Sequence, residues 1–319
     1  MRKALRVRRQ EDPRQSSRLL KGRKSGDAAV VEVLRRMPAH KKGTPMDQIE
    51  TPALCVDLDL LDQNMAKMKA SMEPFKGKVT VRPHIKSHKC GSIAAMQTGH
   101  KGGDCVKGVC CAKVSEVEAM CLAGIKDIHL ANVVFGQSKM DRLAHCASLG
   151  TAISICVDSA KQIDQLEAAA KKHGTTLQCL VEVNTGQNRC GVEYDGPEVA
   201  TLALDIARRT PWLSFEGLQG YQGWAQHITA HKERAAEIDR VCDKMIVAKK
   251  SLSDVGLPCR VITGAGTGSY PMEAASGVYT EVQPGSYLFN DGDYQDLENS
   301  AGAVVGQTNW PRVYISLPR

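Results

Sequence analysis

A basic segment centred on one lysine is the first part of the sequence that could do covalent chemistry. Residues 82–89 read Arg-Pro-His-Ile-Lys-Ser-His-Lys, which surrounds Lys86 with an arginine, two histidines and a second lysine. Neighbouring cations disfavour the ammonium form of a lysine and thereby favour a nucleophilic amine. A solvated basic loop is the alternative interpretation, although Pro83 restricts the backbone. We therefore take Lys86 as the candidate catalytic residue.

Two segments rich in glycine and hydroxyl groups could bind an anion. Residues 263–269 read Thr-Gly-Ala-Gly-Thr-Gly-Ser and lead into a short predicted helix, and residues 283–286 read Gln-Pro-Gly-Ser. Exposed backbone N–H groups, hydroxyls and a helix N-terminus together suit a phosphate group. The candidate anion-binding residues are Gly264, Gly266, Thr267, Gly268, Gly285 and Ser286.

Two further polar segments follow apolar runs. Residues 182–191 contain Arg189, whose guanidinium could hold an anionic oxygen of a ligand, although a plain polar turn would also fit. Residues 217–224 contain glycines, which allow close approach of the backbone, and Tyr221, which could stack on a ring or donate a hydrogen bond. Tyr221 could equally be an ordinary packed aromatic residue.

The elements that must position these segments alternate along the chain. Apolar and β-branched runs predict eight strands, at 79–84, 108–112, 127–131, 152–157, 177–183, 213–219, 260–263 and 280–285. Helical periodicity predicts helices at 60–72, 93–98, 114–123, 139–148, 159–173, 198–209, 228–254 and 272–276. Glycines at 124, 150, 174 and 256 each follow a helix, where glycine can adopt the left-handed cap conformation.

This alternation implies parallel strands and an α/β fold, namely a (β/α)8 TIM-type barrel over roughly residues 75–290. An open doubly wound sheet is the alternative, but the first loop contains no Gly-x-Gly-x-x-Gly. Barrel active sites lie at the carboxyl ends of the strands, and phosphate sites commonly follow strands seven and eight. A lysine after strand one and an anion cradle after strands seven and eight suggest a phosphorylated aldehyde cofactor. A sugar phosphate held through a lysine is the competing interpretation.

Composition limits the class of protein. The chain of 319 residues has a formal charge of +7, but residues 1–44 hold 14 Lys and Arg against 4 Asp and Glu, so the remainder is slightly acidic. The basic excess lies in a tail rather than on a folded face, which argues against nucleic-acid binding. No apolar run approaches the ~20 residues of a membrane span. The 12 scattered cysteines, with no Cys-x-x-Cys pair, are typical of buried reduced thiols.

The basic N-terminal extension, residues 1–45, is predicted to be either disordered or a targeting segment. Its arginines and serines suit an organelle transit peptide, although it has more acidic residues than such peptides usually contain. We expect an intracellular reducing compartment, either the cytoplasm or, if the extension is a transit peptide, an organelle.

These segments resemble the fold-type III pyridoxal-phosphate family, whose barrel domain is shared with alanine racemase. Within that family they are most similar to the branch of D-threonine aldolase and eukaryotic D-serine dehydratase, from about residue 51 to about residue 294. The segment at 82–89 resembles the cofactor-lysine motif of this branch, residues 182–191 and 281–293 are also similar, and 273–281 resembles the aldolases. The resemblance implies pyridoxal 5'-phosphate as cofactor, with a Schiff base at Lys86.

The resemblance also implies roles for other residues. Arg189 would lie near the phenolic oxygen of the cofactor and Tyr221 beside its ring. Gln283 would stand where alanine racemase has an arginine facing the pyridine nitrogen. The phosphate would be held by residues 263–268 together with Gly285 and Ser286.

Members of the family also have a β-rich C-terminal domain with a divalent metal, which is manganese, magnesium or zinc. Its ligands are a histidine and an Asp or Cys two residues later, whereas the nine histidines of this chain end at His231, so we expect no metal ligands here. The expected domains are the extension at 1–45, the cofactor-binding barrel at 46–298 and a truncated start of the β domain at 299–319. On this basis we expect cofactor binding with poor turnover.

The reaction implied by the resemblance is retro-aldol cleavage of a small D-3-hydroxy amino acid, such as D-threonine to glycine and acetaldehyde. D-Serine dehydratase activity, which yields pyruvate and ammonia, and a non-catalytic cofactor-binding protein are the alternatives. Alanine racemase activity is disfavoured, because its second catalytic group comes from the missing domain and its lysine motif differs. Family members form homodimers, and the sequence leaves the oligomeric state of this chain open. No nucleic-acid or membrane partner is expected.

Overall fold

The structure of the chain is a computed structural model that describes residues 43–99, 102–304 and the backbone of 314–317. The predicted N-terminal extension therefore lies almost entirely outside the described residues. The chain divides into two compact units, Met1–Asp59 with Val313–Arg319, and Leu60–Arg312. The domain boundaries expected from the sequence, after residues 45 and 298, stay predictions.

The described part of the first unit contains a pair of antiparallel strands. β1 (Ala53–Val56) pairs with the strand Tyr314–Leu317, so that Ala53 stands opposite Leu317 and Val56 opposite Tyr314. A short 3-10 turn, Met46–Gln48, precedes β1. Residues 53–56 therefore form a paired strand outside the barrel sheet.

The second unit alternates short strands with helices. Its strands are β2 (Thr80–Val81), β3 (Val109–Cys111), β4 (Asp127–Leu130), β5 (Ala152–Val157), β6 (Leu177–Asn184), β7 (Val192–Glu193), β8 (Leu213–Gly220), β9 (Val261–Gly264) and β10 (Glu281–Val282). Its helices are α1 (Leu58–Met72), α2 (Gly91–Thr98), α3 (Val114–Leu122), α4 (Gln137–Ser148), α5 (Ala160–His173), α6 (Glu198–Arg208), α7 (His231–Asp254) and α8 (Tyr270–Ala275). Each strand and helix expected from the sequence overlaps one of these, whereas β7, a short strand beside β6, was not predicted.

Parallel strands close this unit into a barrel. Hydrogen-bonded neighbours follow the order β2-β10-β9-β8-β6-β5-β4-β3, and each pairing along it is parallel. The two end strands are joined by isolated parallel bridges, Val81 with Val106 and His84 with Cys110. This confirms the barrel prediction and makes the open doubly wound sheet wrong. Closure places β2 beside β10, so the lysine segment and the segment at 283–286 follow neighbouring strands.

Helix ends and buried helix faces follow from local chemistry. The four glycines expected as caps have φ between 61° at Gly174 and 86° at Gly150, a region that glycine enters without steric cost. Helix α6 buries residues spaced three and four apart, which lie on one side of a helix. They are Val199, Leu202, Ala203 and Ile206.

The core lies on both faces of the sheet, because helices cover the outside of the barrel. β5 shows this directly, since all its residues from Ile153 to Val157 are buried. All 12 cysteines are free thiols. In the described part of the chain, no helix combines the length and apolar character needed to cross a membrane.

Candidate active site

A cavity at the carboxyl ends of the barrel strands contains most of the residues singled out from the sequence. Lys86, Arg189, Tyr221, Gln283 and Ser286 all line it. The other lining residues are His84, Ala131, Gln219, Ala265, Gly266, Thr267, Gly285 and Tyr294. The lysine segment, the arginine, the tyrosine and both glycine-rich segments therefore border one cavity.

Lys86 is carried by a short 3-10 turn, Ile85–Ser87, that follows β2. The backbone N–H of Lys86 donates to His84 Nδ1 at 3.3 Å. Lys89 Nζ donates to the carbonyl oxygen of Lys86 at 2.8 Å, and the Ile85 side chain is fully buried. These contacts fix the backbone of the turn while the side chain of Lys86 stays exposed at the cavity.

Arg82 belongs to the same basic segment but does not line the cavity. Its guanidinium pairs with Asp127 at 2.6 Å and with Glu281 at 3.0 Å, and Arg82 is only 4% exposed. Burial opposes the ionisation of Arg82, but Glu281 and Asp127 outweigh it and hold the pKa of the guanidinium above its ordinary value. Arg82 thus anchors the chain at the end of β2 to two other strands.

His84 is a cavity residue that the sequence analysis did not select. Burial, together with the nearby charge of Lys86, lowers the pKa of His84 to about 3. The imidazole is therefore neutral near pH ~7, which agrees with its acceptance of the Lys86 N–H. Its position at the end of a predicted strand could have indicated it, because barrel active sites lie at the carboxyl ends of strands.

Gly266, Thr267, Gly285 and Ser286, here called the rim, lie in the loops after β9 and β10. The backbone N–H groups of Thr267, Gly285 and Ser286 donate to no atom of the residues that the structure describes. The hydroxyl of Thr267 accepts from the N–H of Tyr287 at 3.1 Å, which ties the two loops together. Open N–H donors from adjoining loops suit an anion.

Two glycines of the predicted cradle make close contacts with neighbouring loops and strands, and their predicted role in anion binding stays a prediction. Gly264 ends β9 opposite Gly220, and a Cβ at Gly264 would come 2.0 Å from the carbonyl oxygen of Gly220. Gly268 donates its N–H to Gln226 Oε1 at 2.8 Å. Neither glycine is among the residues that line the cavity.

The floor of the cavity is a network of side-chain amides. Gln283 Nε2 donates to Gln219 Oε1 at 2.9 Å and to Thr263 Oγ1 at 2.8 Å. Gln219 donates to Glu182 at 2.6 Å and accepts from His129 at 2.7 Å. Burial lowers the pKa of His129 to about 4 and raises the pKa of Glu182 to about 7. These hydrogen bonds hold the amides of Gln219 and Gln283 in one orientation. Because Gln283 is an amide, it presents no formal charge to a ligand.

Arg189 and Tyr221 form one wall of the cavity. The guanidinium carbon of Arg189 lies 5.5 Å from the centre of the Tyr221 ring, which is a cation–π distance. Burial raises the pKa of Tyr221 to about 12, so its phenol stays protonated. The pair offers a cation and a neutral hydroxyl to a ligand.

These groups fit the cofactor that the sequence resemblance implies. An aldehyde requires an amine, which Lys86 supplies, and a phosphate requires several donors. The test of fit is the rim, whose Thr267, Gly285 and Ser286 N–H groups have no acceptor among the described residues. Within the same residues, no three His, Cys, Asp or Glu side chains gather where they could hold a metal ion.

Comparison with known proteins decides the family. Residues 56–293 match the family described as the N-terminal domain of alanine racemase. The chain belongs to the alanine racemase N-terminal-domain family. The resemblance to fold-type III pyridoxal-phosphate proteins is thereby confirmed at the level of the family.

Three members similar to this chain are aldolases by name. A D-threonine aldolase of Arthrobacter sp is 41% identical over 267 residues, which is 83% of this chain and 68% of that protein. A 3-hydroxy-D-aspartate aldolase of Paracoccus denitrificans (strain Pd 1222) is 38% identical over 268 residues, 84% of this chain and 67% of that protein. The crystal structure of D-threonine aldolase from Filomicrobium marinum has a TM-score of 0.77 and 38% identity, covering 85% of this chain and 69% of that one.

Four lining residues were missed by reasoning from the sequence, and three of them stand at strand ends. Ala131 directly follows β4, Gln219 is next to the last residue of β8, and His84 ends a predicted strand. Because barrel sites lie at the carboxyl ends of strands, that position alone could have found these three. Tyr294 lies beyond the last strand of the barrel and had no comparable indication.

Proposed function

We propose that this protein is a pyridoxal-phosphate-dependent lyase that cleaves D-3-hydroxy amino acids between Cα and Cβ. The observation that carries the proposal is that Lys86 and the open N–H donors of the rim border one cavity. The names of two of the similar proteins support the reaction class, since D-threonine and 3-hydroxy-D-aspartate are both D-3-hydroxy amino acids.

Different residues of the cavity would bind different parts of the cofactor. Lys86 would bind the aldehyde of the cofactor and the rim its phosphate. Arg189 would lie near its phenolic oxygen, Tyr221 beside its ring, and Gln283 would be a neutral partner for the ring nitrogen. When bound, the cofactor supplies an electron sink for the negative charge left on Cα.

Cleavage requires the β-hydroxyl to lose a proton and Cα to gain one, which yields glycine and an aldehyde. The amine of Lys86 is a group of the cavity that can take up a proton. The neutral imidazole of His84 accepts the Lys86 N–H at Nδ1, so its own proton lies on Nε2, where it can donate a hydrogen bond. We therefore expect Lys86 to serve proton transfer and His84 to hold the lysine turn.

The cofactor part of the proposal is tested by adding pyridoxal phosphate, reducing with borohydride and mapping the labelled peptide. We expect the label at Lys86 and none in Lys86→Ala. Lys89→Ala is the matched control and should keep the label, because Lys89 Nζ is turned onto the carbonyl of Lys86. A label at Lys89 would show that Lys89, rather than Lys86, is the reactive lysine of this segment. No label in the wild type would overturn the proposal.

The products then decide the reaction. The loaded protein is expected to convert D-threonine to glycine and acetaldehyde only slowly, with or without added manganese. Brisk glycine formation on addition of manganese would contradict the expectation of poor turnover. Formation of pyruvate and ammonia from D-serine instead would identify a dehydratase. Labelled protein that forms neither product would be a cofactor-binding protein without turnover.

A further inference from the structure

The loop after β9 is held by hydrogen bonds to Gln226, a residue that does not line the cavity. Gln226 lies in the 3-10 turn Trp224–His227 that follows β8, and it is only 1% exposed. Its Oε1 accepts from the Gly268 N–H at 2.8 Å, and its Nε2 donates to Ser269 Oγ at 2.7 Å. One amide therefore binds two consecutive residues of this loop.

The contact with Gln226 also accounts for glycines in the loop. A Cβ at Gly266 would come 2.5 Å from Gln226 Oε1, and a Cβ at Gly268 would come 3.2 Å from the same atom. The first distance is far inside van der Waals contact, since non-bonded atoms are comfortable at roughly 3.5–4.0 Å. Only glycine at 266 lets the loop lie against the amide as it does.

Ser269 extends this network into helix α8. Its Oγ donates to Glu273 Oε1 at 2.8 Å. Because a hydroxyl has one proton, Ser269 must accept from Gln226 rather than donate to it. Gln226, Ser269 and Glu273 are all nearly fully buried, and hydrogen bonds in such surroundings strengthen one another.

We infer that Gln226 is a positioning residue for the phosphate of the cofactor. The inference rests on the proposed function, since it requires the rim to bind a phosphate. Gln226 contacts the loop at Gly268 and stands against Gly266, so it fixes the backbone on both sides of Thr267, whose N–H is open. Without that support, the loop must be ordered when the phosphate binds, which lowers the affinity.

The experiment compares pyridoxal phosphate with pyridoxal, which has the same aldehyde but no phosphate. The dissociation constant of each ligand is measured from the absorbance of its lysine adduct in the full chain. The variants are Gln226→Leu and Ser269→Ala, which remove the two ends of one hydrogen bond. Gln222→Leu is the matched control, because Gln222 is also a buried glutamine after β8 but donates to Glu237.

We expect Gln226→Leu to raise the dissociation constant of pyridoxal phosphate roughly ten-fold, the effect of about one lost hydrogen bond. The constant for pyridoxal should change less than about two-fold. Ser269→Ala should alter the ratio of the two constants in the same direction, whereas Gln222→Leu should leave the ratio unchanged.

Equal weakening of both ligands in Gln226→Leu would show a general structural role and overturn the inference. If Gln226→Leu does not fold, the ratio in Ser269→Ala decides, and an unchanged ratio overturns the inference. Failure of the wild type to bind either ligand through a lysine is a different result, because it removes the proposed function itself.

Discussion

The loop that carries Lys86 and the loop that Gln226 supports are held in place by opposite kinds of chemistry. Full charges anchor the first, because Arg82 pairs with Asp127 and Glu281 just below the lysine turn. Neutral groups hold the second, through the amide of Gln226 and the hydroxyl of Ser269.

This difference follows from what each loop must present to a ligand. The ion pairs below Lys86 combine both signs, so they anchor the strand without leaving an isolated charge. An ionised carboxyl behind the rim would repel an anion strongly, because charges interact over long range in a low dielectric. Glu273 ends this network, and burial raises its pKa to about 7, so about half of these carboxyls are neutral near pH ~7, against almost none at the ordinary pKa.

Breaking the charged anchor should have the largest effect on stability. Arg82→Met leaves Glu281, which is almost fully buried, without its counter-ion, and we expect a loss of about 3–5 kcal/mol in the free energy of unfolding. Urea denaturation measures the loss. Arg142→Met breaks an exposed pair with Glu118 and should cost less than about 1 kcal/mol. Equal losses in the two variants would show that the charges do not anchor β2.

Adding a side chain at Gly266, next to the amide of Gln226, should affect cofactor binding as well as stability. The methyl group of Gly266→Ala would collide with Gln226 Oε1, so we expect a loss of about 1–3 kcal/mol in unfolding free energy. Affinity for pyridoxal phosphate should also fall, by at least the roughly ten-fold expected of Gln226→Leu. Gly124→Ala is the control, since Gly124 has a φ of 85° but open space around its Cβ position. It should lose stability and keep its affinity; unchanged affinity in Gly266→Ala would contradict the role of the loop.

The buried carboxyl at the end of the neutral network predicts a pH dependence. Burial raises the pKa of Glu273 from 4.5 to about 7, so the folded state holds this proton more tightly than the unfolded state. Its contribution to stability is complete below about pH 4.5 and is lost as the pH rises through about 7. Glu273→Gln should therefore be more favourable, relative to wild type, at about pH 8 than at about pH 5.

Melting temperatures of both proteins at the two pH values measure this effect. Glu182→Gln should behave similarly, because burial also raises the pKa of Glu182 to about 7. The exposed Glu233→Gln on α7 is the control and should show no such difference. A pH-independent difference in Glu273→Gln would mean that the pKa of this carboxyl is the same in the folded and unfolded states, which would contradict the prediction.

Removing the exposed charge of Lys89, next to the turn that carries Lys86, should have the smallest effect on stability. Lys89 is exposed, donates one hydrogen bond to the carbonyl of Lys86 and lies 3.9 Å from the carboxylate of Glu116. We expect Lys89→Ala to change the free energy of unfolding by no more than about 1 kcal/mol in urea denaturation. A loss that approaches the loss in Arg82→Met would erase the distinction between buried and exposed charges at this site.

Periodicity in the sequence was sufficient to locate the strands and helices of the barrel, because buried parallel strands are short apolar runs between amphipathic helices. The lysine turn and the rim could be placed at one end of the barrel, because both follow predicted strands and all strands of such a barrel run in one direction. The partners of buried polar groups could not be found in this way. Glu281, which pairs with Arg82, lies 199 positions further along the chain (281 minus 82), and nothing local marks the pair.

Glycine patterns were also ambiguous about which N–H groups are available. Gly266 donates its N–H to Ser269 Oγ and Gly268 to Gln226 Oε1, so the open N–H of this loop belongs to Thr267 between them. Gln226 itself belongs to no recognisable motif, since a buried amide can bind almost any neighbour. Its role became visible only once the loops after β8 and β9 were placed side by side.

The pairing of β2 with β10 controls when the site can form during synthesis. The nascent chain presents Lys86 to its surroundings early, while residues 281–286 are still to be translated. Strands β3 to β6 can pair with strands made shortly before them, but β2 must wait for β10. We therefore expect the cofactor to be acquired only after residues 281–286 have left the ribosome, once the last barrel strand has closed the ring.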